Sequence, residues 1–411
     1  MLCKLLGTIR DIPTRLSSRL LSAHGTRSPK STPLLVSMAT LTASGERPRI
    51  VLEGNPYEIG LRHGQQLREQ IHKQLAIYRE LFQLNCKFDW TQVRHTAKEF
   101  HASIGQLAPE LLEEIRGIAY GVDPSSERVD VYDIIALNAR SEIALGQWDD
   151  GCTSLSWRID QSQNQMQFLA QNWDWRSSVG ENLAIVSIRQ PGKPDIWMVT
   201  EPGIIGKIGF NSESVGVCLN AIRARPISTS LLPIHLILRI ALECSSVDSA
   251  IARIEKLGGA ASSQHILIAD TNGGRGLELS PRGGVYLNPD PNGILIHTNH
   301  FLENKLVDEP PWLSGSPIRL RRAQKLCLEL MEKQGHGLLS IDGPATLRTA
   351  VFNDAENSPQ AICCVPDPER GPLASIETLF NIVMTFSAGK PPIAEVVFGK
   401  PGNPSQVYVL P

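Results

Sequence analysis

Cys152 is the residue of this chain best placed to act as a nucleophile. It directly follows Gly151 and opens a β-type run at 153–157. A lone cysteine is most often a small buried hydrophobe, but this context argues otherwise. The glycine leaves the preceding carbonyl sterically open, and Asp149 and Asp150 keep the segment polar. A thiol at the first position of a strand can attack that carbonyl, and the ester-like intermediate then hydrolyses, leaving Cys152 with a free α-amine. Such an amine has a reference pKa of about 7.7–8.0, so a useful fraction is neutral near pH 7. It can take the thiol proton directly or through water, which puts nucleophile and base on one residue.

The surrounding elements change character at this point. Upstream, the spacing predicts a strand at 49–53 and helices from 58, over 91–105, 109–121 and 130–142. Leu67, Ile71 and Leu75 recur every fourth residue, and Pro109 suits a first helical turn. Downstream, short β-type runs fall at 153–157, 166–172, 184–190, 196–200 and 215–220. Two helices follow, at 233–243 and 247–257, then strands at 265–269, 276–279, 285–287 and 294–298. A basic helix at 317–332, a helix at 345–352 and strands at 360–364, 378–385 and 394–398 complete the pattern. This order suits an antiparallel α+β layering better than alternating βαβ units.

The chain has 411 residues, 42% hydrophobic and 20% charged, with a net charge of −2. This composition is that of a globular protein and argues against nucleic acid or an anionic membrane surface as an obligatory partner. No apolar run reaches the roughly 20 residues of a spanning helix. The eight cysteines are scattered, without CxxC or metal-ligand spacing. They read as reduced thiols in an intracellular compartment, with no metal site. Residues 1–47 read as a basic, acid-poor extension, either disordered or a targeting presequence. The expected location is cytoplasmic or mitochondrial. The C-terminus is not a peroxisomal signal.

Several ordered motifs then fit together. Asp150-Gly151-Cys152-Thr153 is followed by Gln171-Asn172-Trp173-Asp174-Trp175 and by a Glu201-Pro202-Gly203 stretch running to Asn211. Leu219-Asn220-Ala221, His297-Thr298-Asn299-His300 and Thr378-Leu379-Phe380-Asn381 come later. Gly54-Asn55-Pro56 and Leu137-Asn138-Ala139-Arg140 precede them. Over residues 48–411 this set resembles the acyl-coenzyme A:6-aminopenicillanate acyltransferase family of N-terminal nucleophile hydrolases. It is similar, more distantly, to bile-acid amidases and acid ceramidase. The resemblance implies a four-layer αββα sandwich and self-cleavage at Gly151–Cys152. A helical small chain, 48–151, and a catalytic segment, 152–411, would then form a heterodimer.

Each matched residue also has a physical reading. Asp174 can anchor the new α-ammonium or orient the amine, or it can be a turn carboxylate. Asn299 can donate to a tetrahedral oxyanion, or end a strand as a turn residue. Asn220 has the same two readings, and Asn172 can support the site through its amide. His297 and His300 flank Asn299, but a Cys–His pair does not need Gly-Cys at a strand start. Many relatives carry an arginine where this chain has Gln171, and penicillin-forming ones carry another where it has Cys364. Arg319 could substitute, although Arg321, Arg322 and Lys325 beside it favour a solvated face. The resemblance implies no permanently bound cofactor. Its substrates would be a small-molecule acyl donor, such as a coenzyme A thioester or an N-acyl amide, and an amine acceptor. An inactive, uncleaved binding homologue is the alternative.

Overall fold

Strands buried on both faces form two stacked β-sheets with helices on their outer faces. The computed structural model describes residues 45–144, 151–161, 164–311, 315–334, 343–371 and 373–411. Most of the extension 1–47, and both Asp149 and Asp150, lie outside the described residues.

The first sheet has the order β1 (Arg49–Glu53), β4 (Ala184–Arg189), β5 (Ile196–Thr200), β6 (Ile208–Asn211), β7 (Gly216–Ala221), β8 (Gln264–Asp270), β9 (Gly273–Ser280) and β10 (Gly283–Leu287). The second has the order β11 (Ile294–His297), β2 (Thr153–Gln161), β3 (Asn164–Arg176), β12 (Ile376–Phe386), β13 (Ile393–Lys400) and β14 (Asn403–Leu410). Strands β2 and β3 contact β7, β8 and β9 across the interface. Helices α8 (Ile234–Leu242) and α9 (Val247–Lys256) cover the first sheet. Helices α10 (Ser316–Gln334) and α11 (Gly343–Leu347) cover the second. The architecture is the α+β, four-layer αββα sandwich.

Register decides what faces the site. On β2, Leu155, Trp157 and Ile159 enter the core beneath α10, together with Leu320, Ala323 and Cys327. The intervening Ser154 and Ser156 are buried on the opposite face, where Ser154 Oγ donates to Asn220 Oδ1 of the other sheet at 2.6 Å. Period-two alternation thus places polar groups between the sheets, each needing a partner there.

The upstream segment is α1 (Pro56–Gln66), α2 (Arg68–Leu81), α3 (Trp90–Leu107), α4 (Pro109–Val122), α5 (Val131–Asn138) and α6 (Arg140–Ile143). It is stitched into the rest of the fold. Strand β1 pairs in parallel with β4, and Arg239 of α8 donates to Glu114 of α4 at 2.8 Å. Asn138 Nδ2 donates to Gly203 O, and Asn138 Oδ1 accepts from Ile205 N. Helices α1 and α4 meet backbone to backbone: a methyl at Gly60 or Gly117 would land on the carbonyl oxygen of Glu114 or Tyr57. Among the described residues no helix is long and apolar enough to cross a membrane.

Three sequence expectations need correction. The helix predicted at 130–142 breaks at Ala139 into α5 and α6, and that from 58 breaks at Leu67. The predicted strand 360–364 is not a strand. Its backbone groups are taken by partners outside a ladder: Ile362 O accepts from Asn172 Nδ2, Cys363 N donates to Asp354 O, and Cys364 N donates to Thr378 Oγ1. Two strands escape the pattern. β6 contains Gly209, whose hydrogen atoms let the Trp197 backbone approach, and β14 is an edge strand that contains Pro404 and alternates exposed valines.

Candidate active site

Cys152 lies at the entrance to β2, 2% exposed, with its Sγ 3.9 Å from the Asp174 carbonyl oxygen. Thr153 opposes Asn172 in the β2–β3 ladder, so continuing the register one step brings Trp173 opposite Cys152. The nucleophile candidate therefore sits beside Trp173 and Asp174, at the end of the sandwich where β2, β3, β7 and β11 converge.

The carbonyl of Cys152 is held from two directions. Arg319 Nη1 donates to it at 2.6 Å, and Asn220 Nδ2 donates at 3.2 Å. Arg319 also donates to Thr153 Oγ1 at 3.1 Å and to Asn299 Oδ1 at 2.9 Å. Its neighbours suggested a solvated face, but Arg319 is 2% exposed, and that reading is corrected. The first turn of α10 points at the end of β2, so position 319 faces inward while Arg321 is exposed. Helical periodicity separates adjacent basic residues onto different faces.

Asn299 follows β11. Its Nδ2 donates to Ala221 O at 3.0 Å, and its backbone N–H donates to Ser316 Oγ at 2.8 Å. One amide proton of Asn299 remains for another acceptor. Asn220 is oriented by His265 Nδ1, 3.0 Å from its Oδ1. The ring of His265 stacks on that of His297, with centroids 3.4 Å apart. His297 does not reach for Cys152: its Nε2 lies 2.9 Å from Glu278 Oε1, and its Nδ1 2.8 Å from Thr298 O. Glu278 also accepts from the backbone N–H groups of Leu302, Glu303 and Asn304, which fixes the loop after Asn299. His300 contacts Ser316 Oγ, and burial lowers it to about 4, with His297 and Arg319 adding to the shift.

Asp174 is fully buried and accepts from Thr378 Oγ1 at 2.6 Å. Gly151 lies against it: a Cβ there would stand 2.9 Å from Asp174 Oδ2 and 3.1 Å from Asp174 Cβ. The peptide entering Cys152 is thus lodged on a carboxylate. Asn172 is directed elsewhere. Both protons of its amide go to backbone carbonyls, Phe352 O at 2.8 Å and Ile362 O at 2.9 Å, and its Oδ1 accepts from Asn381. It braces the second sheet and its covering loops rather than presenting a donor at Cys152.

Gln171, at the position where many relatives carry arginine, ties the sheets together instead. It donates to Leu219 O and accepts from Leu219 N. Cys363 and Cys364 are buried, and burial together with Asp174 pushes both thiols up. A cleft lined by Arg140, Ala221, Arg223 and Gln264 adjoins the partner carbonyl of Asn299 and holds only about 30 Å³, a water-sized space.

Sequence reading missed the charged cluster beneath the two tryptophans. Glu201 Oε1 accepts from Arg140 at 2.8 Å and Lys207 at 3.0 Å; its Oε2 accepts from Gln74 and Tyr78. Burial pushes Glu201 up, but Arg140, Lys207 and the Tyr78 hydroxyl outweigh it and hold the carboxyl at about 2. Charged residues inside the Glu201-Pro202-Gly203 stretch were the available signal, since buried charge needs paired charge.

The family model described as acyl-coenzyme A:6-aminopenicillanic acid acyl-transferase matches residues 161–358. Among solved structures, a variant of conjugated bile acid hydrolase from Clostridium perfringens aligns with a TM-score of 0.44 at 13% identity, over 63% of this chain and 92% of that one. Penicillin V acylase from Agrobacterium tumefaciens aligns with a TM-score of 0.37 at 14% identity, over 63% and 86%. The acyl-coenzyme A:6-aminopenicillanic-acid-acyltransferase 40 kDa form of Emericella nidulans is 34% identical over 367 residues, which is 88% of this chain and 95% of that protein. By that extent of identity, the chain belongs to the acyl-coenzyme A:6-aminopenicillanic acid acyltransferase family.

Proposed function

We propose that this acyltransferase or amidohydrolase cuts itself at Gly151–Cys152 and then works through the thiol of the new N-terminal Cys152. The observation that carries this reading is the position of that peptide. Gly151 is lodged on the Asp174 carboxylate, and the carbonyl of Cys152 is fixed by Arg319 and Asn220.

In the first step Cys152 Sγ attacks the Gly151 carbonyl carbon. The C–N bond breaks, the amine leaves with the proton, and a thioester forms. Water then attacks the thioester and releases the Gly151 carboxylate. The freed α-ammonium meets Asp174, which holds it and orients the neutral amine as base. In turnover, Cys152 Sγ attacks the acyl carbonyl of the donor, the amine or coenzyme A thiol leaves with the proton as the acyl-thioester forms, and Asn299 donates a hydrogen bond from its remaining amide N–H to the oxyanion. Water as second nucleophile gives hydrolysis; an amine gives transfer.

The name of the Emericella nidulans relative points to acyl-coenzyme A and 6-aminopenicillanate as substrates. This chain has Gln171 and Cys364 at positions where the resemblance leads one to expect arginine. A general N-acyl amide hydrolase or acyltransferase with a small amine acceptor therefore ranks above a dedicated penicillin enzyme. Arg319 is a buried arginine at the site, held on the Cys152 carbonyl. The 48–151 and 152–411 products stay together as a heterodimer, because β1 and the Glu114–Arg239 pair span them.

The test is expression of the full chain beside Cys152→Ala, read by denaturing gel and intact mass. Two fragments in the parent, with a large-fragment mass starting at Cys152, and one band in the variant are expected. An uncut parent chain would sink the mechanism.

A further inference from the structure

We infer that Lys207 is the electrostatic partner of the Cys152 thiolate, acting across Trp173 as a positioning residue. The inference rests on Cys152 being the nucleophile.

Position 171, on β3, holds a neutral glutamine spent on the Leu219 backbone. The positive charge arrives from the other side. Lys207 leads into β6 of the first sheet, is fully buried, and sets its Nζ 4.1 Å from the centroid of the Trp173 ring. Trp173 is the residue that the β2–β3 register places opposite Cys152. The indole of Trp173 therefore carries the ammonium on its face, and its residue stands across the extended β2–β3 ladder from Cys152. A cation over an aromatic ring in a dry interior loses little of its field to solvent.

The other charged and titratable groups around Lys207 set its role. Glu201 lies at 3.0 Å and shares the same carboxylate oxygen with Arg140 of α6. Tyr78 of α2 is pushed well above its ordinary value, by burial first and by Glu201, so it stays a donor. His235 of α8 is pushed well below its ordinary value by burial, Lys207 and Arg140, so it is neutral. Cys218 of β7 is pushed up by burial and by Cys152, so it remains a thiol. Two cations thus share one carboxylate, and the region they form is in electrostatic reach of Cys152. Burial lowers Lys207 to about 8, with Glu201 and Cys152 opposing the shift. The ammonium form prevails at neutral pH, where a thiolate partner is useful.

Lys207→Met removes the charge and leaves the Arg140–Glu201 pair balanced one to one, so this variant is expected to fold. Lys207→Arg keeps the charge. Cys152 is alkylated with iodoacetamide from pH 5 to 10 in the cut proteins, and the modified peptide is located by mass. The midpoint of the rate profile should rise by about one unit or more in Lys207→Met, making alkylation about tenfold slower at pH 7. Lys207→Arg should restore it. Glu201→Gln, which uncovers the lysine, should move the midpoint down. A Lys207→Met protein that folds but stays uncut, with Lys207→Arg cut, also supports the inference.

A cut Lys207→Met enzyme with the parent profile would overturn it, as would a Glu201→Gln profile that does not move. If neither variant folds, the parent decides: a midpoint at or above the roughly 8.5 of a free thiol overturns the pairing. An uncut parent refutes the nucleophile itself, which is a distinguishable result.

Discussion

Arg319→Met is the most informative single change outside Cys152. The guanidinium, in a site 2% exposed, donates to Cys152 O at 2.6 Å, Thr153 Oγ1 at 3.1 Å and Asn299 Oδ1 at 2.9 Å. Methionine fills the volume of the stem and donates nothing. Cys152 O keeps Asn220, but Asn299 loses the donor that fixes its amide plane. Hydrogen bonds to charged groups contribute about 1.5–3 kcal/mol each. Part of this is lost equally from ground and transition states. The part that aims Cys152 and Asn299 should resemble loss of an oxyanion donor, about 3 kcal/mol, or roughly a hundredfold in rate. The assay follows precursor disappearance by intact mass, with circular dichroism and a thermal melt to establish folding. Arg319→Ala with added guanidinium ion should recover part of the rate, because the ion can occupy the vacated position. A folded Arg319→Met that cleaves within about threefold of the parent would refute the clamp, on the same hundredfold scale.

Other predictions follow from the same contacts. Asp174→Asn keeps the Thr378 hydrogen bond but removes the anion facing Gly151, and cleavage should slow by roughly 10²-fold in a protein whose melting temperature is little changed. Gly117→Ala pushes a methyl onto the Tyr57 carbonyl and should cost about 1–3 kcal/mol, read as a lowered denaturant midpoint; an unchanged midpoint would contradict the close α1–α4 seam. Acid stability should depend on Glu201. Its folded value, about 2, lies below the ordinary 4.5, so its contribution is present above pH 4.5 and lost as the pH falls toward 2. At about 1.4 kcal/mol per unit this amounts to about 3 kcal/mol, and melting curves from pH 6 to 2.5 should flatten in Glu201→Gln. Size-exclusion chromatography of the cut protein should give one peak containing both fragments, since β1 and the Asn138 contacts span the cut; separate peaks would contradict it.

Much of the layering was legible because period-two and period-3.6 patterns are local consequences of burial. Most strands and helices fall within a few residues of their predicted ranges. The failures share a cause. The run 360–364 is apolar enough for a strand, but Asn172, Asp354 and Thr378 compete for its backbone groups. Gly209 in β6 and Pro404 in β14 look like breakers when the neighbours that tolerate them are out of view.

By itself the sequence singled out Gly151-Cys152 at a helical-to-strand transition, because glycine before cysteine at a strand start is a local chemical fact. It also supplied Asp174, Asn220 and Asn299 as candidates. Only the tertiary structure decided among the polar residues. Asn172 turned away to brace two carbonyls, and Arg319 turned inward from a basic helix to hold Cys152 O. Arg140, 61 residues upstream of Glu201, meets Glu201 and Lys207 beneath Trp173 and Trp175. Their meeting depends on the stacking of two sheets and the docking of α6. A buried charge is stable only where distant partners converge on it, and such convergence leaves no periodic trace in the sequence.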